Sequence, residues 1–176
     1  MELKTKDILL KPLMRTDTHE LFSLIEECRN YLRPWLFWVD ATRSPEDIQS
    51  ALDRITNPIE QPLGIFHRNK LAGLISVKHF DEANFSCEIG YWLAEKYQGN
   101  SIMFSACKML INYLFRESAV NRIEIGVATN NHRSRNIPEK LGFFEEGIKR
   151  CAVYINDGFQ DYVIYSLLKK DWNSRT

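Results

Sequence analysis

SCEIGYWLAEKYQGNSIMFSACKMLINYLFRESAVNRIEIGVA, residues Ser86–Ala128, decides the fold class. Ser86–Leu93 alternates apolar and polar residues as a strand does, and Arg122–Ala128 repeats that signature. Between them Met103, Ala106, Cys107, Leu110 and Leu114 fall on one face at helical spacing, running to about Phe115. Strand, amphipathic helix and strand in that order make a crossover, the unit of mixed α/β proteins. Downstream, Asn130-Asn131 caps a further helix that stops at Gly142. Two strands, roughly Phe143–Tyr154 and Phe159–Lys169, then flank the hairpin signal Asn156-Asp157-Gly158. Upstream, Asp7–Leu13 reads as a strand, and Asp17 with Glu20 as a capping box opening a helix through Leu21, Leu24, Ile25 and Cys28. Ser44-Pro45-Glu46 starts a second helix, running to about Thr56. Leu63–His67 and Leu71–His79 form a hairpin around Arg68-Asn69-Lys70. The order βααββ, then βαβαββ, predicts a mixed, largely antiparallel sheet flanked by helices.

The 176 residues form one domain, 1–176, with no repeat, low-complexity tract or linker. Hydrophobic residues at 44% and charged residues at 26% exclude disordered, collagen-like and coiled-coil classes. Basic and acidic residues number 23 each, so the chain lacks the basic excess of a nucleic-acid binder. Cys28, Cys87, Cys107 and Cys151 make no C-x-x-C pair, and His19, His67, His79 and His132 lack metal-ligand spacing. No metal is expected. The start, MELKTKDILLKPL, lacks the apolar core of a signal peptide, and no apolar run is long enough to span a membrane. A reducing cytoplasm is the expected location.

Phosphate-loop, dinucleotide-turn and nucleophile-elbow motifs are absent. What stands out is Tyr97-Gln98-Gly99-Asn100-Ser101-Ile102-Met103, between a strand and a helix. Unpaired N–H groups at a helix start attract anions, and Gly99 lets a ligand approach the main chain closely. A plain strand-to-helix turn would read the same way.

Three ordered blocks resemble the GNAT acetyltransferase superfamily, and more narrowly its ribosomal-protein N-terminal acetyltransferase branch. They are EIGYWLAEKYQGNSIM (Glu88–Met103), NRIEIGVATNNHRSRNIPEKLGFFEEG (Asn121–Gly147) and YINDGFQDYVIYSLLKKDW (Tyr154–Trp172). The resemblance implies that fold, acetyl-coenzyme A as cosubstrate, and direct transfer to an amine in a ternary complex. It implies that Gln98, Gly99, Asn100, Ser101, Ile102 and Met103 hold the pyrophosphate. Of the family's loop pattern only Gln98 matches. Ser101 and Met103 replace small residues, so Ser101 is expected at negative φ with its hydroxyl capping the helix. Trp92, Leu93 and Asn131 are implied as pantetheine contacts, with the main chain near Trp92 polarising the acetyl carbonyl. Ser134, from N-x-x-S, lies near the sulfur. Pro138 cannot donate to the carbonyl of Ser134, which predicts a bend in that helix.

Acetyl transfer requires an amine stripped of its proton, a stabilised oxyanion and a proton for the leaving thiolate. Glu88, just before the coenzyme loop, is the candidate base through water; an edge-strand carboxylate in an ion pair is its alternative. Ser134 and Tyr154 are the candidate acids, with Ser134 preferred. The related branch commonly carries a glutamate before the hairpin tyrosine, where this chain has Val153. A missing base costs less with an α-amine, whose pKa of about 7.7–8.0 leaves a sizeable neutral fraction. The expected acceptor is therefore a protein or peptide N-terminus, ribosomal proteins included. Small amines (polyamines or aminoglycosides) and a catalytically silent coenzyme-binding protein are the alternatives. In LRPWLFWVD (Leu32–Asp40), Trp35 and Trp38 are expected to line the acceptor groove, or else to be core. A homo-oligomer stays open; a membrane or nucleic-acid partner is not expected.

Overall fold

The computed structural model describes residues 1–155 and 157–174. Its strands are β1 (Leu3–Lys4), β2 (Ile8–Pro12), β3 (Leu63–His67), β4 (Lys70–Asp81), β5 (Ser86–Leu93), β6 (Arg122–Ala128), β7 (Phe144–Ile155) and β8 (Gly158–Leu168). Its α-helices are α1 (Thr18–Leu32), α2 (Pro45–Asp53), α3 (Ile102–Glu117), α4 (His132–Leu141) and α5 (Lys169–Asn173). The strands form one sheet in the order β1-β2-β3-β4-β5-β6-β8-β7. All pairings are antiparallel except β5 with β6, which the α3 crossover joins in parallel. The mixed, mostly antiparallel sheet expected from the sequence is what the chain forms, with the two-residue β1 and the short α5 added at its ends. Asn156 of the expected hairpin signal lies outside the described residues.

Alternation along the strands sorts side chains onto two faces. On one face Ile89, Ile123, Ile125 and Val163 pack against Ala106, Cys107, Leu110 and Leu114 of α3. On the other, Leu21, Leu24, Ile25 and Leu32 of α1 and Ile48 of α2 cover Phe66, Leu71 and Trp92. That second cover is confined to the β2–β5 half, and β7 stays exposed along nearly its whole length. Polar groups fill the uncovered part: Arg122 pairs with Glu124 at 2.6 Å and Glu146 at 2.5 Å, and Ser166 donates to Glu146. The Arg122 guanidinium and Ser166 hydroxyl hold the Glu146 carboxyl down at about 2.

The parallel seam is short. β5 and β6 pair only at Ser86–Arg122, Cys87–Ile123 and Glu88–Glu124, then diverge. From Ile89 to Leu93, the edge of β5 facing β6 therefore has main-chain groups without a strand partner.

Two expected helix boundaries differ. Asp17 makes no side-chain cap to α1; its Oδ2 accepts from Met14 N–H at 2.9 Å within a 3-10 turn, Arg15–Asp17. Glu20 reaches instead to Leu71 N–H at 3.2 Å, so a tertiary bond takes the carboxylate that the local box would have used. The second helix opens at Pro45 as expected, with Asp47 accepting from Ser44 N–H, but ends at Asp53.

Candidate active site

Where β5 and β6 part, a cavity of about 720 Å³ runs through the sheet, lined from both faces. Even-numbered residues of β5 (Glu88, Gly90, Trp92) look toward the α1 side, while Tyr91 and Leu93 look toward α3 and α4. The split thus brings together two walls that a continuous sheet would have separated.

The α3–α4 wall holds most of the residues expected at the coenzyme. Trp92, Leu93, Gln98, Gly99, Ser101, Ile102, Met103, Asn131 and Ser134 all line the cavity. Asn100 does not; its Nδ2 donates to the Gln98 carbonyl at 3.1 Å and braces the loop from behind. Gly99 has φ +77°, and a Cβ there would meet nothing within 4 Å, so its main chain lies bare. Ser101 overturns its expectation. It sits in the left-handed region at φ 55° and its hydroxyl makes no cap, because the turn out of Gly99 enters α3 with left-handed geometry. The first turn of α3 carries no acid, leaving its N–H groups suited to an anion. Met103 is 7% exposed, its bulk folded mostly into the core.

Gln98 is fixed from two sides: it donates to Tyr31 Oη at 2.6 Å and accepts from Arg133 at 3.2 Å. Arg133, bonded to the loop at Gln98, and Lys140, in the last turn of α4, add cations to the cavity lining. Sequence reasoning missed Arg133, although a sign of it is there. His132, Arg133 and Arg135 crowd the start of α4, whose first turn holds no acid, against the helix dipole; Arg135 pairs with Glu139 and Glu145, which leaves Arg133 suited to a neighbouring anion.

Ser134 is positioned more tightly than the sequence suggested. Its N–H donates to Asn131 Oδ1 at 3.1 Å, so Asn131 is an N-cap as well as a lining residue. The helix continues unbroken through Pro138 to Leu141. The bond that Pro138 cannot make to the Ser134 carbonyl is replaced from β5: Tyr91 Oη donates to that oxygen at 3.0 Å. Ser134 Oγ in turn lies 3.4 Å from Tyr91 Oη. Burial pushes the Tyr91 phenol well above its usual range, so it stays protonated as a donor. Sequence reasoning missed Tyr91; the carbonyl orphaned by Pro138 was the signal that a donor was needed. Tyr91→Phe should lower the unfolding free energy by about 1–3 kcal/mol, the cost of a buried acceptor left unpaired. Adding Pro138→Ala should recover part of that loss, since an alanine at this position regains the N–H. Thermal melting of the single and double variants checks this.

On the α1 side, Glu88, Lys78, Gly90, Trp35 and Tyr162 line the cavity, with the Tyr162 ring against Gly126. Burial first and then the Glu88 carboxylate raise the Tyr162 phenol above its usual value. Glu88 forms no ion pair among the described residues, so the salt-bridged alternative does not hold. Trp35 lines the cavity. Trp38, expected there too, does not: it turns inward onto Trp92, ring centroids 6.2 Å apart, with the α1 core, one turn being enough to separate the two indoles. The buried Trp92 Nε1 has no hydrogen-bond partner among the described residues. Tyr154 lies outside the cavity lining, 54% exposed on the β7–β8 hairpin and edge-on to Phe159 at 5.1 Å. Of the two candidate acids, Ser134 alone lines the cavity.

Known proteins decide what kind of site this is. Residues 7–144 match the acetyltransferase (GNAT) domain family. The putative ribosomal N-acetyltransferase YdaF of Bacillus subtilis is 36% identical over 172 residues, 94% of this chain and 93% of that one. The chain belongs to the GNAT acetyltransferases. This acetyltransferase is also 29% identical to the ribosomal-protein-serine acetyltransferase of Escherichia coli, over 83% of this chain and 84% of that protein. The microcin C7 self-immunity acetyltransferase MccE, solved with acetyl-CoA and AMP, superposes with a TM-score of 0.88 at 26% identity, covering 93% of each chain. Acetyl-coenzyme A is the cosubstrate of this GNAT acetyltransferase. The bare Gly99 main chain, the acid-free start of α3 and the nearby Arg133 fit its phosphates. Among the described residues no His, Cys, Asp or Glu cluster could hold a metal, and no helix is long and apolar enough to cross a membrane.

Proposed function

We propose that this acetyltransferase modifies the N-terminal α-amine of a protein, with ribosomal proteins as the first candidates. The observation that carries the reading is the acceptor wall. It offers Glu88, with Glu95 the other carboxylate of the cavity lining, beside the ammonium-bearing Lys78 and the aromatic rings of Trp35 and Tyr162. A polyamine or aminoglycoside is a polycation and calls for several carboxylates, whereas an extended peptide end suits aromatic walls with few charges. The named activities of the relatives, which act on ribosomal proteins, support the same acceptor class.

Bound acetyl-coenzyme A supplies the activated acetyl group. Glu88 takes the proton of the incoming ammonium, through water, from the α1 side. The unpaired main-chain edge of β5 near Trp92 and Leu93 faces the position where negative charge develops, and one such donor is typically worth about 2.7–4 kcal/mol. On the opposite wall the Ser134 hydroxyl, steadied by Asn131 and Tyr91, delivers a proton to the sulfur. With four unbridged cysteines, the enzyme is assigned to a reducing compartment, the cytoplasm.

Thiol release measured with N-terminal peptides, internal-lysine peptides, spermidine and an aminoglycoside tests the reading. Peptides with a free α-amine should turn over at least about tenfold faster, by kcat/KM, than the same peptides N-terminally blocked and carrying lysine, consistent with the lower α-amine pKa. A preference for the polycations, or release only with lysine, would refute it.

A further inference from the structure

We propose that Lys78 makes this enzyme selective for acceptors that carry an anionic side chain at the residue after the reactive amine. The inference rests on the α-amine reading above and names the chemistry of the chain that follows that amine. Lys78 and Glu88 are cross-strand partners on β4 and β5, on the wall facing α1. In most sheets such a pair would close into an ion pair. Here no ion pair or hydrogen bond joins them, and neither side chain has another such partner among the described residues.

Gly90 explains the separation. The Lys78 stem leans along β5 and lies over that glycine, where a Cβ would come within 2.5 Å of Cε and 2.6 Å of Nζ. The missing side chain makes a seat for the ammonium two residues along the strand from Glu88. Two residues of strand measure about 7 Å. The cavity thus presents an unpaired carboxylate from position 88 and an unpaired ammonium seated over position 90, main-chain positions about 7 Å apart. An acceptor entering with its ammonium toward Glu88 places the side chain of its second residue at a comparable distance, within reach of Lys78. Aspartate or glutamate there completes both charges at once. Lysine or arginine there meets a like charge, which also accounts for the exclusion of polycations.

Three peptides that differ only in a second residue of Asp, Asn or Lys, with every other side chain uncharged, form the test, read as kcat/KM at low salt. Asp should exceed Asn by about fivefold, the factor that an exposed ion pair at the strong end of its range supplies. Lys should fall below Asn, and 0.5 M salt should compress the spread, since the Debye length is then only a few ångströms. Lys78→Met keeps the stem over Gly90 and should bring Asp and Asn to parity, while Lys78→Glu should invert the order. Melting points and coenzyme affinity, read alongside, show whether each variant is folded. Equal rates for the three peptides in the parent enzyme overturn this assignment alone, as does a preference for Asp that survives Lys78→Met. No acetylation of any of the three, with coenzyme binding intact, overturns both this assignment and the α-amine reading beneath it.

Discussion

Glu88→Gln is expected to cut turnover about a hundredfold near pH 7, the usual lower range for losing a general base. The amide keeps the shape of the side chain, and no ion pair is lost, because Glu88 has none among the described residues. Folding and coenzyme affinity should therefore stay close to those of the parent. The defect should shrink as pH rises. An α-amine with pKa near 7.7–8.0 is mostly neutral by about pH 9, so an external base no longer limits the reaction. Stopped-flow or steady-state turnover across that range reads the effect directly. A defect of constant size at every pH would mean that Glu88 shapes the wall without handling a proton. Val153, where the family resemblance implies a glutamate, makes the contrast sharper, since that position supplies no second base.

Gly99→Val is expected to weaken coenzyme binding at least about tenfold, or 1.4 kcal/mol. Two causes act together. At φ +77° a β-branched residue is strained, which pulls the loop away from its present path. The added methyl groups also project into space that is open in the protein and that the phosphates need. Because nothing in the fold occupies that space, the variant should still fold, and calorimetric titration can isolate the binding loss. Gly99→Ala should fall between parent and Val. Unchanged affinity in a folded Gly99→Val enzyme would place the phosphates elsewhere along the cavity.

The crossover Ser86–Ala128 is readable from residues alone because its periods are unambiguous: alternation, then Met103 to Leu114 on one helical face, then alternation again. The coenzyme loop is readable by position but not by conformation. Ser101 adopts φ 55°, which local preference argues against; the geometry comes from how the loop leaves Gly99 and meets α3. Asp17 and Glu20 spell a capping box, yet Glu20 bonds to Leu71 N–H, a partner distant in sequence that no local window contains. Trp35 and Trp38 look equivalent in sequence, two indoles in one short aromatic segment. A single turn sends one to the cavity and the other onto Trp92. Tyr91 and Lys78 could not be singled out as strand residues. Their roles depend on Pro138 and Gly90, whose missing groups (an N–H in one, a Cβ in the other) create the partner or the seat.

The divergence of β5 from β6 also governs traffic. On the proposed reading, a cavity lined from both faces of the sheet lets coenzyme come in by the α3–α4 side and the acceptor by the α1 side. Neither has to be in place for the other to enter, so no compulsory order of addition is imposed by the walls. A folded protein many times larger than this enzyme can remain outside, threading only its first residues inward. Spent coenzyme can then be exchanged behind it, through an opening that the docked partner does not obstruct.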